Sequence, residues 1–207
     1  MSDPAFQISI FINCPFDVEY KQMLRALIFS IIECGFEPRV ADESDDSGEE
    51  RIKKIKELIK GSQYSIHDIS RMELQQSPRF NLPFEVGLDL GCREFGQGIL
   101  KEKKCLVLDR EKYRFRQFFS DLSGSDIQDH NDDPQIMIRK VRNWVRTNTG
   151  APLDNKGPTR IWIRFNEFYT NYFKSKKSRG FSDDDIEELP SSEYIDDVRS
   201  WIINNPF

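Results

Sequence analysis

A chain of 207 residues, 38% hydrophobic and 31% charged, is long enough for one well-sized core without disulfide or metal to hold it. Its net charge of −5 argues against broad binding to a phosphate backbone, so nucleic acid is an unfavoured partner. The four cysteines form no Cys-x-x-Cys pair and read as reduced thiols of a cytoplasmic protein. The two histidines give no support to zinc chemistry or a His-dependent triad, and no run reaches the roughly 18 apolar residues of a membrane helix.

The first 110 or so positions alternate between strand-like and helix-like segments. Phe6–Asn13 is short, apolar and rich in Ile and Phe, as a buried strand is. Tyr20, Leu24, Leu27, Ile28 and Ile31 then fall at helical spacing across 19–34, and Gly35 supplies the stop. A second strand is predicted over Phe36–Glu43, ended by an acidic cluster that begins at Asp42. Ser47 is the expected cap of the next helix, with Glu49 and Glu50 in its first turn, an Ile52/Ile55/Ile59 stripe, and Gly61 at its end. Tyr64–Ser70 reads as the third strand.

After a polar loop, Arg71 to Phe80, Asn81 is expected to cap a helix carrying Pro83 in its first turn, with Phe84, Leu88, Gly91 and Phe95 on one apolar face. Lys104–Asp109 is the fourth strand. The pattern then loosens until a helix predicted over Asp133–Arg146. Thr147–Pro158 reads as a linker. Beyond it, Ile161, Phe165, Phe168 and Tyr172 repeat at helical spacing, as do Tyr194, Val198, Trp201 and Ile202.

This alternation predicts an α/β, flavodoxin-like three-layer sandwich with a parallel sheet of four or five strands in the order 2-1-3-4, plus C-terminal helices. No fifth strand is legible. The expected organisation is an α/β domain over 1–149 and a helical extension over 158–207, whose aromatic faces pack on it or make a dimer contact.

Ligands of open parallel sheets bind beyond the carboxyl ends of the strands. That rule selects Asn13, Asp17, Asp42, Glu43, Asp68, Ser70, Arg79, Asn81 and Glu85 as candidates for one cleft, and Phe16 is placed to stack on a base. There is no Gly-x-Gly-x-x-Gly, no P-loop and no Gly-x-Ser-x-Gly elbow. Carboxylates, amides and a hydroxyl are a set suited to sugars and nucleosides, because carboxylates bind ribose hydroxyls and steady an oxocarbenium-like centre.

The stretch Pro78-Arg79-Phe80-Asn81-Leu82-Pro83-Phe84-Glu85-Val86-Gly87, following a strand that ends Asp68-Ile69-Ser70, resembles the glutamate-bearing helix of two related groups. These are the nucleoside 2-deoxyribosyltransferases and the Toll/interleukin-1 receptor (TIR) domains with their bacterial relatives. Phe11-Ile12-Asn13-Cys14-Pro15-Phe16-Asp17 is similar to the first-strand exit of TIR-like bacterial proteins. The likeness covers roughly residues 6–146; neither the Trp-Cys of receptor-type TIR domains nor the Gly-Thr of the transferases is present.

The resemblance implies a hydrolase or transferase acting on the N-glycosidic bond of a nucleotide, with NAD as substrate rather than cofactor, no metal, self-association, and a role in bacterial defence or signalling. Glu85 would be catalytic, at the head of its helix. Asn13, Phe16, Asp17, Asp68, Ser70, Arg79 and Asn81 would contact the substrate.

Each residue also has a plainer reading. Glu85 can be a first-turn glutamate favoured by the helix dipole. Asn13 and Asp17 can organise the first turn, and Asp68 and Ser70 can belong to a strand end. Phe16 can be a core or lid aromatic, and Arg79 can pair with neighbouring acids. Asp42 and Glu43 read as solvated, and Ser120, Asp121 and Ser123 are candidates for a lid. The alternative function is a non-catalytic nucleotide-sensing or protein-interaction module.

Overall fold

The apolar run near the start of the chain divides between two elements. Pro4–Ile8 is a short helix, α1, and strand β1 covers Ser9–Asn13. The strand expected from Phe6 therefore begins three residues later. The Ser9 hydroxyl donates to the Ala5 carbonyl at 2.7 Å, fastening the helical turn, and pairing with the neighbouring strand starts at Ser9. The structure, a computed structural model, describes residues 4–41, 50–71, 80–117 and 126–207. Its contacts divide the chain into two units, Met1–Pro15 with Glu37–Asp132, and Phe16–Phe36 with Asp133–Phe207.

The first unit holds the sheet. Strands β2 (Glu37–Val40), β3 (Tyr64–Asp68), β4 (Lys104–Asp109) and β5 (Gln128–Asp129) join β1 in the order β2-β1-β3-β4-β5, with every pairing parallel. The fold is thus α/β with the flavodoxin-like strand order 2-1-3-4-5. β5 is two residues long and pairs with Leu108 and Asp109, too short to leave any periodicity in the sequence.

Every residue of β1 and β3 is buried. In β1 the content is largely apolar, as a central parallel strand demands. In β3 it includes Ser65, His67 and Asp68, so this strand takes hydrogen-bonding groups into the interior.

Helices α3 (Arg51–Lys60) and α4 (Asn81–Phe95) follow β2 and β3. Ile55, Leu58 and Ile59 pack with Phe11 and Ala41, and Leu88 and Cys92 of α4 close this cluster. Val86 packs with Ile69, Val107 and Phe115. Glu50 is the N-cap of α3 and its side chain makes no capping bond; the expected cap, Ser47, lies outside the described residues, as do Asp42 and Glu43.

The second unit is helical: α2 (Lys21–Glu33), α5 (Pro134–Thr149), α6 (Pro158–Ser178), α7 (Asp183–Glu188) and α8 (Ser191–Asn204). Gly35, at φ 87°, ends α2 in the left-handed conformation that glycine adopts without strain, and the Phe36 amide reaches back to the Ile31 carbonyl. Phe29 of α2 packs against Phe165, Phe168 and Trp201 at centroid distances of 5.5–6.0 Å. The C-terminal aromatic stripes thus cover α2. Full burial of a side chain such as Phe29 contributes on the order of 2–3 kcal/mol.

Arg25, also on α2, lies among the rings of Tyr169, Tyr172, Phe173 and Tyr194 at 5.4–5.9 Å, and binds Glu187 and the Ile186 carbonyl. The stretch read as a linker is fastened instead. Leu153 is buried, and Arg142 donates to the Leu153 and Lys156 carbonyls.

Candidate active site

Helix α4 begins at the carboxyl end of β3, and one side chain ties it there. Asn13, the last residue of β1, donates from Nδ2 to the Leu82 carbonyl at 2.9 Å. The same amide nitrogen lies 3.1 Å from His67 Nδ1, its partner in strand register. Nε2 of His67 in turn faces Asp89 Oδ2 at 3.0 Å.

Asp89 gathers two further contacts. Ser65, two residues before His67 on the same side of β3, donates its hydroxyl to Oδ2. Lys103 Nζ lies 3.1 Å from Oδ1 and also donates to the Ile59 carbonyl at 2.7 Å and to the Ser62 carbonyl. The result is a buried chain, Lys103–Asp89–His67–Asn13–Leu82, joining β1, β3, the end of α3 and the first turn and middle of α4. Burial opposes ionisation of Asp89. The hydrogen bond and electrostatic attraction of His67 prevail, with help from Lys103 and Ser65, and hold its carboxyl well below the usual range.

Glu85 lies one helical turn before Asp89, on the same buried side, and is 3% exposed. Here burial prevails and raises the carboxyl above its ordinary value; a long hydrogen bond from Asn81 (3.4 Å) and the charges of Arg51 and His67 act against the rise without cancelling it. Two carboxylates one turn apart are therefore driven in opposite directions. This is the pattern by which protein environments divide labour between neighbouring acids.

Three expectations for α4 need correction. Asn81 is its first helical residue, not its cap; Phe80 holds the cap position and makes no side-chain capping bond. Glu85 accordingly stands in the second turn, where the helix-terminus field has faded, and the first turn carries no acid. The face marked by Phe84, Leu88, Gly91 and Phe95 is not the buried one. Leu82, Glu85, Val86 and Asp89 are buried, whereas Phe84 and Phe95 are exposed. Of that stripe only Leu88 reaches the core, where it packs with Ile55 and Ile59.

A second polar group closes the ends of β3, β4 and β5. Asp68, fully buried, lies with Oδ2 2.8 Å from His130 Nε2 and accepts the Ser70 amide at 2.9 Å. His130 Nδ1 accepts the Asp132 amide. Burial opposes protonation of His130, but Asp68, with Asp132 and Asp109, raises its basicity above the ordinary value. Asp109 is held by Arg114, which also donates to the Ile69 carbonyl.

The remaining candidates are distributed between the units. Ser70 is buried beside this second group. Asp17 caps the 3-10 turn Val18–Tyr20, accepting the Tyr20 amide at 3.0 Å, and belongs with half-buried Phe16 to the helical unit. Arg79, Ser120, Asp121 and Ser123 lie outside the described residues. Sequence reasoning missed His67, Asp89, Lys103 and His130. Asp89 was findable, because a second carboxylate four residues after Glu85 shares its helix face.

Among the described residues no group of three or more His, Cys, Asp or Glu is arranged to hold a metal ion, and no helix is long and apolar enough to cross a membrane. No family model, curated protein or solved structure matches the chain.

Proposed function

We propose that this protein is a TIR-like or deoxyribosyltransferase-like enzyme that breaks the N-glycosidic bond of a nucleotide, with NAD as its favoured substrate. The observation that carries the reading is Glu85. It is a buried glutamate with raised basicity in the helix that opens at the carboxyl end of a parallel sheet, on the same helix face as a firmly ionised Asp89. A glutamate retained for solubility has no reason to be there, and the helix terminus does not explain it.

The chemistry follows from charge. In NAD the nicotinamide is already cationic, so it leaves with the bonding electrons as a neutral ring and needs no protonation. Positive charge then develops at the anomeric carbon, where an ionised Glu85 stabilises it or bonds to it directly. Water attacks the same carbon and loses a proton to complete hydrolysis; a second nucleoside base in place of water gives transfer. The cationic substrate itself favours the ionised form of Glu85, against the pull of burial. Asn13 and His67 fix the first turn of α4, and thereby the position of Glu85. The reading includes a small nucleotide as partner, self-association as the activating step, and a place in bacterial defence or signalling.

Purified protein at high concentration, beside Glu85→Gln, tests it. Nicotinamide release by the wild type alone supports the reading. If neither protein turns over NAD or a panel of deoxynucleosides, the enzyme reading fails. The nucleotide-sensing or protein-interaction module then leads, favoured by the way Asn13 is consumed in hydrogen bonds to His67 and Leu82.

A further inference from the structure

Helices α3 and α4 lie side by side in matched register. Ile55, Leu58 and Ile59 of α3 share a buried cluster with Leu88 and Cys92 of α4. Further along, Ile59 and Lys60 face Cys92 and Phe95 across a groove. Both helices follow strands of one parallel sheet and so point the same way. One turn back from Ile55 stands Arg51, and one turn back from Leu88 stands Phe84, the neighbour of Glu85. The apolar stripe of α3 therefore ends, on the carboxyl side of the sheet, in a guanidinium beside the head of α4. Its charge is near enough to act on the Glu85 carboxyl.

The fold makes little use of this arginine. It is exposed, and among the described residues it makes no hydrogen bond or ion pair. It is also the first helical residue of α3, where the helix dipole disfavours a cation, and no acid in that turn offsets it.

We infer that Arg51 holds the 5′-phosphate of the substrate and thereby selects a nucleotide over a nucleoside. The inference rests on the glycosidic reading of Glu85. In a nucleotide, the ribose ring and one exocyclic methylene separate the phosphate from the anomeric carbon. A carboxylate placed at that carbon needs its phosphate-binding partner within electrostatic reach yet out of contact. Arg51 and Glu85 stand in that relation. A guanidinium meets phosphate through two parallel N–H···O bonds, and an arginine without partners keeps its donors available for them. NAD presents a pyrophosphate to this group, whereas a nucleoside presents no anion. Hydrolysis of NAD therefore fits the assignment, and base exchange between free nucleosides does not.

The test compares NAD with nicotinamide riboside, which carries the same glycosidic bond and no phosphate. Wild type is expected to prefer NAD in kcat/KM, and Arg51→Gln to reduce that preference roughly tenfold to a hundredfold, as loss of a charged hydrogen bond does. Arg51→Lys should retain part of it, keeping the charge without the fork. Removing Arg51 also leaves Glu85 a weaker acid, but this bears on both substrates and cancels in the ratio. Arg51→Gln should melt no lower than wild type, because a cation leaves the positive end of a helix. Lys60→Gln removes an exposed charge from the far end of the same helix and is the control. Calorimetric titration with ADP-ribose reads the site without turnover, and Arg51→Gln should weaken that binding by a similar factor. A wild type that binds ADP-ribose through Arg51 yet cleaves nothing supports this inference and sinks the glycosidic reading alone. An NAD preference or an ADP-ribose affinity that survives Arg51→Gln overturns the inference. So does a wild type that binds no ADP-ribose, or a Lys60→Gln variant that behaves as Arg51→Gln does.

Discussion

Glu85 and Asp89 stand one turn apart on the buried side of α4, yet the first is made a weaker acid and the second a stronger one. The difference lies in their partners. Asp89 has a lysine, an imidazole and a hydroxyl directed at it, whereas the only hydrogen bond to Glu85 from a described side chain is the long one from Asn81. A buried carboxylate with so few donors is poorly stabilised in its ionised form.

Glu85→Gln should therefore abolish turnover and also raise thermal stability at neutral pH. Below the ordinary value of 4.5 the carboxyl is protonated in folded and unfolded chains alike. As pH climbs from there through the raised folded value, the unfolded chain ionises first and wild-type stability falls. Glutamine has no such loss. Melting curves of the two proteins should diverge as pH rises and coincide in acid; a difference independent of pH would contradict the assignment.

Asp89→Asn keeps the shape of the side chain but leaves buried Lys103 without its counter-charge. Removing one partner of a buried pair costs about 3–5 kcal/mol, so urea midpoints should drop severely. In the wild type this contribution is present above 3.8 and is lost as pH falls towards the depressed value. A change under about 1 kcal/mol would show that Lys103 is satisfied by the Ile59 and Ser62 carbonyls alone.

His130 gives the opposite pH signature. Its folded value is raised above 6.5, so the stability it contributes is complete below that pH and disappears as pH rises through the folded value. His130→Gln should flatten the fall in melting temperature on the alkaline side. If that slope persists in the variant, the Asp68–His130 contact is not its source.

Gly87→Ala should stabilise the monomer. The added methyl meets nothing, and replacing glycine within a helix contributes about 0.8–1.0 kcal/mol. That corresponds to roughly 2–4 °C in melting temperature for a chain of this size. At Gly96 the same substitution should destabilise, because a Cβ there would stand 2.2 Å from the Cys92 carbonyl oxygen. Calorimetry of the two alanine variants should give shifts of opposite sign.

Arg25→Lys preserves a charge among the four rings but not the fork that binds Glu187 and the Ile186 carbonyl together. A loss of about 1.5–3 kcal/mol is expected from the charged hydrogen bonds, read by denaturant unfolding. A neutral outcome would mean that the rings need only a cation.

Much of this architecture is written locally. Strand β4 and the apolar cores of β1 and β3 follow from short β-branched runs, and the helix stops at Gly35 and Gly61 follow from glycine placed after an apolar stripe. Glu85 was legible from its position after the third strand. Its depth and partners were not, because hydrophobic periodicity ranks Phe84 and Phe95 above Glu85 and Asp89 as core residues. Tertiary hydrogen bonds reverse that order: Ser65, His67 and Lys103 come from elements whose proximity to Asp89 no local pattern records. The two-residue β5 and the grouping of α2 with the C-terminal helices are likewise products of long-range contact.

That grouping has a consequence during synthesis. Helix α2 leaves the ribosome before all of Glu37–Asp132, and the helices that shield Phe29 come later still. At about 5–20 residues per second, Phe29 waits on the order of 7–35 s for cover. Over that interval the nascent chain displays Phe29 to chaperones and to other nascent chains. Translation that stops near residue 132 leaves it without the rings of Phe165, Phe168 and Trp201.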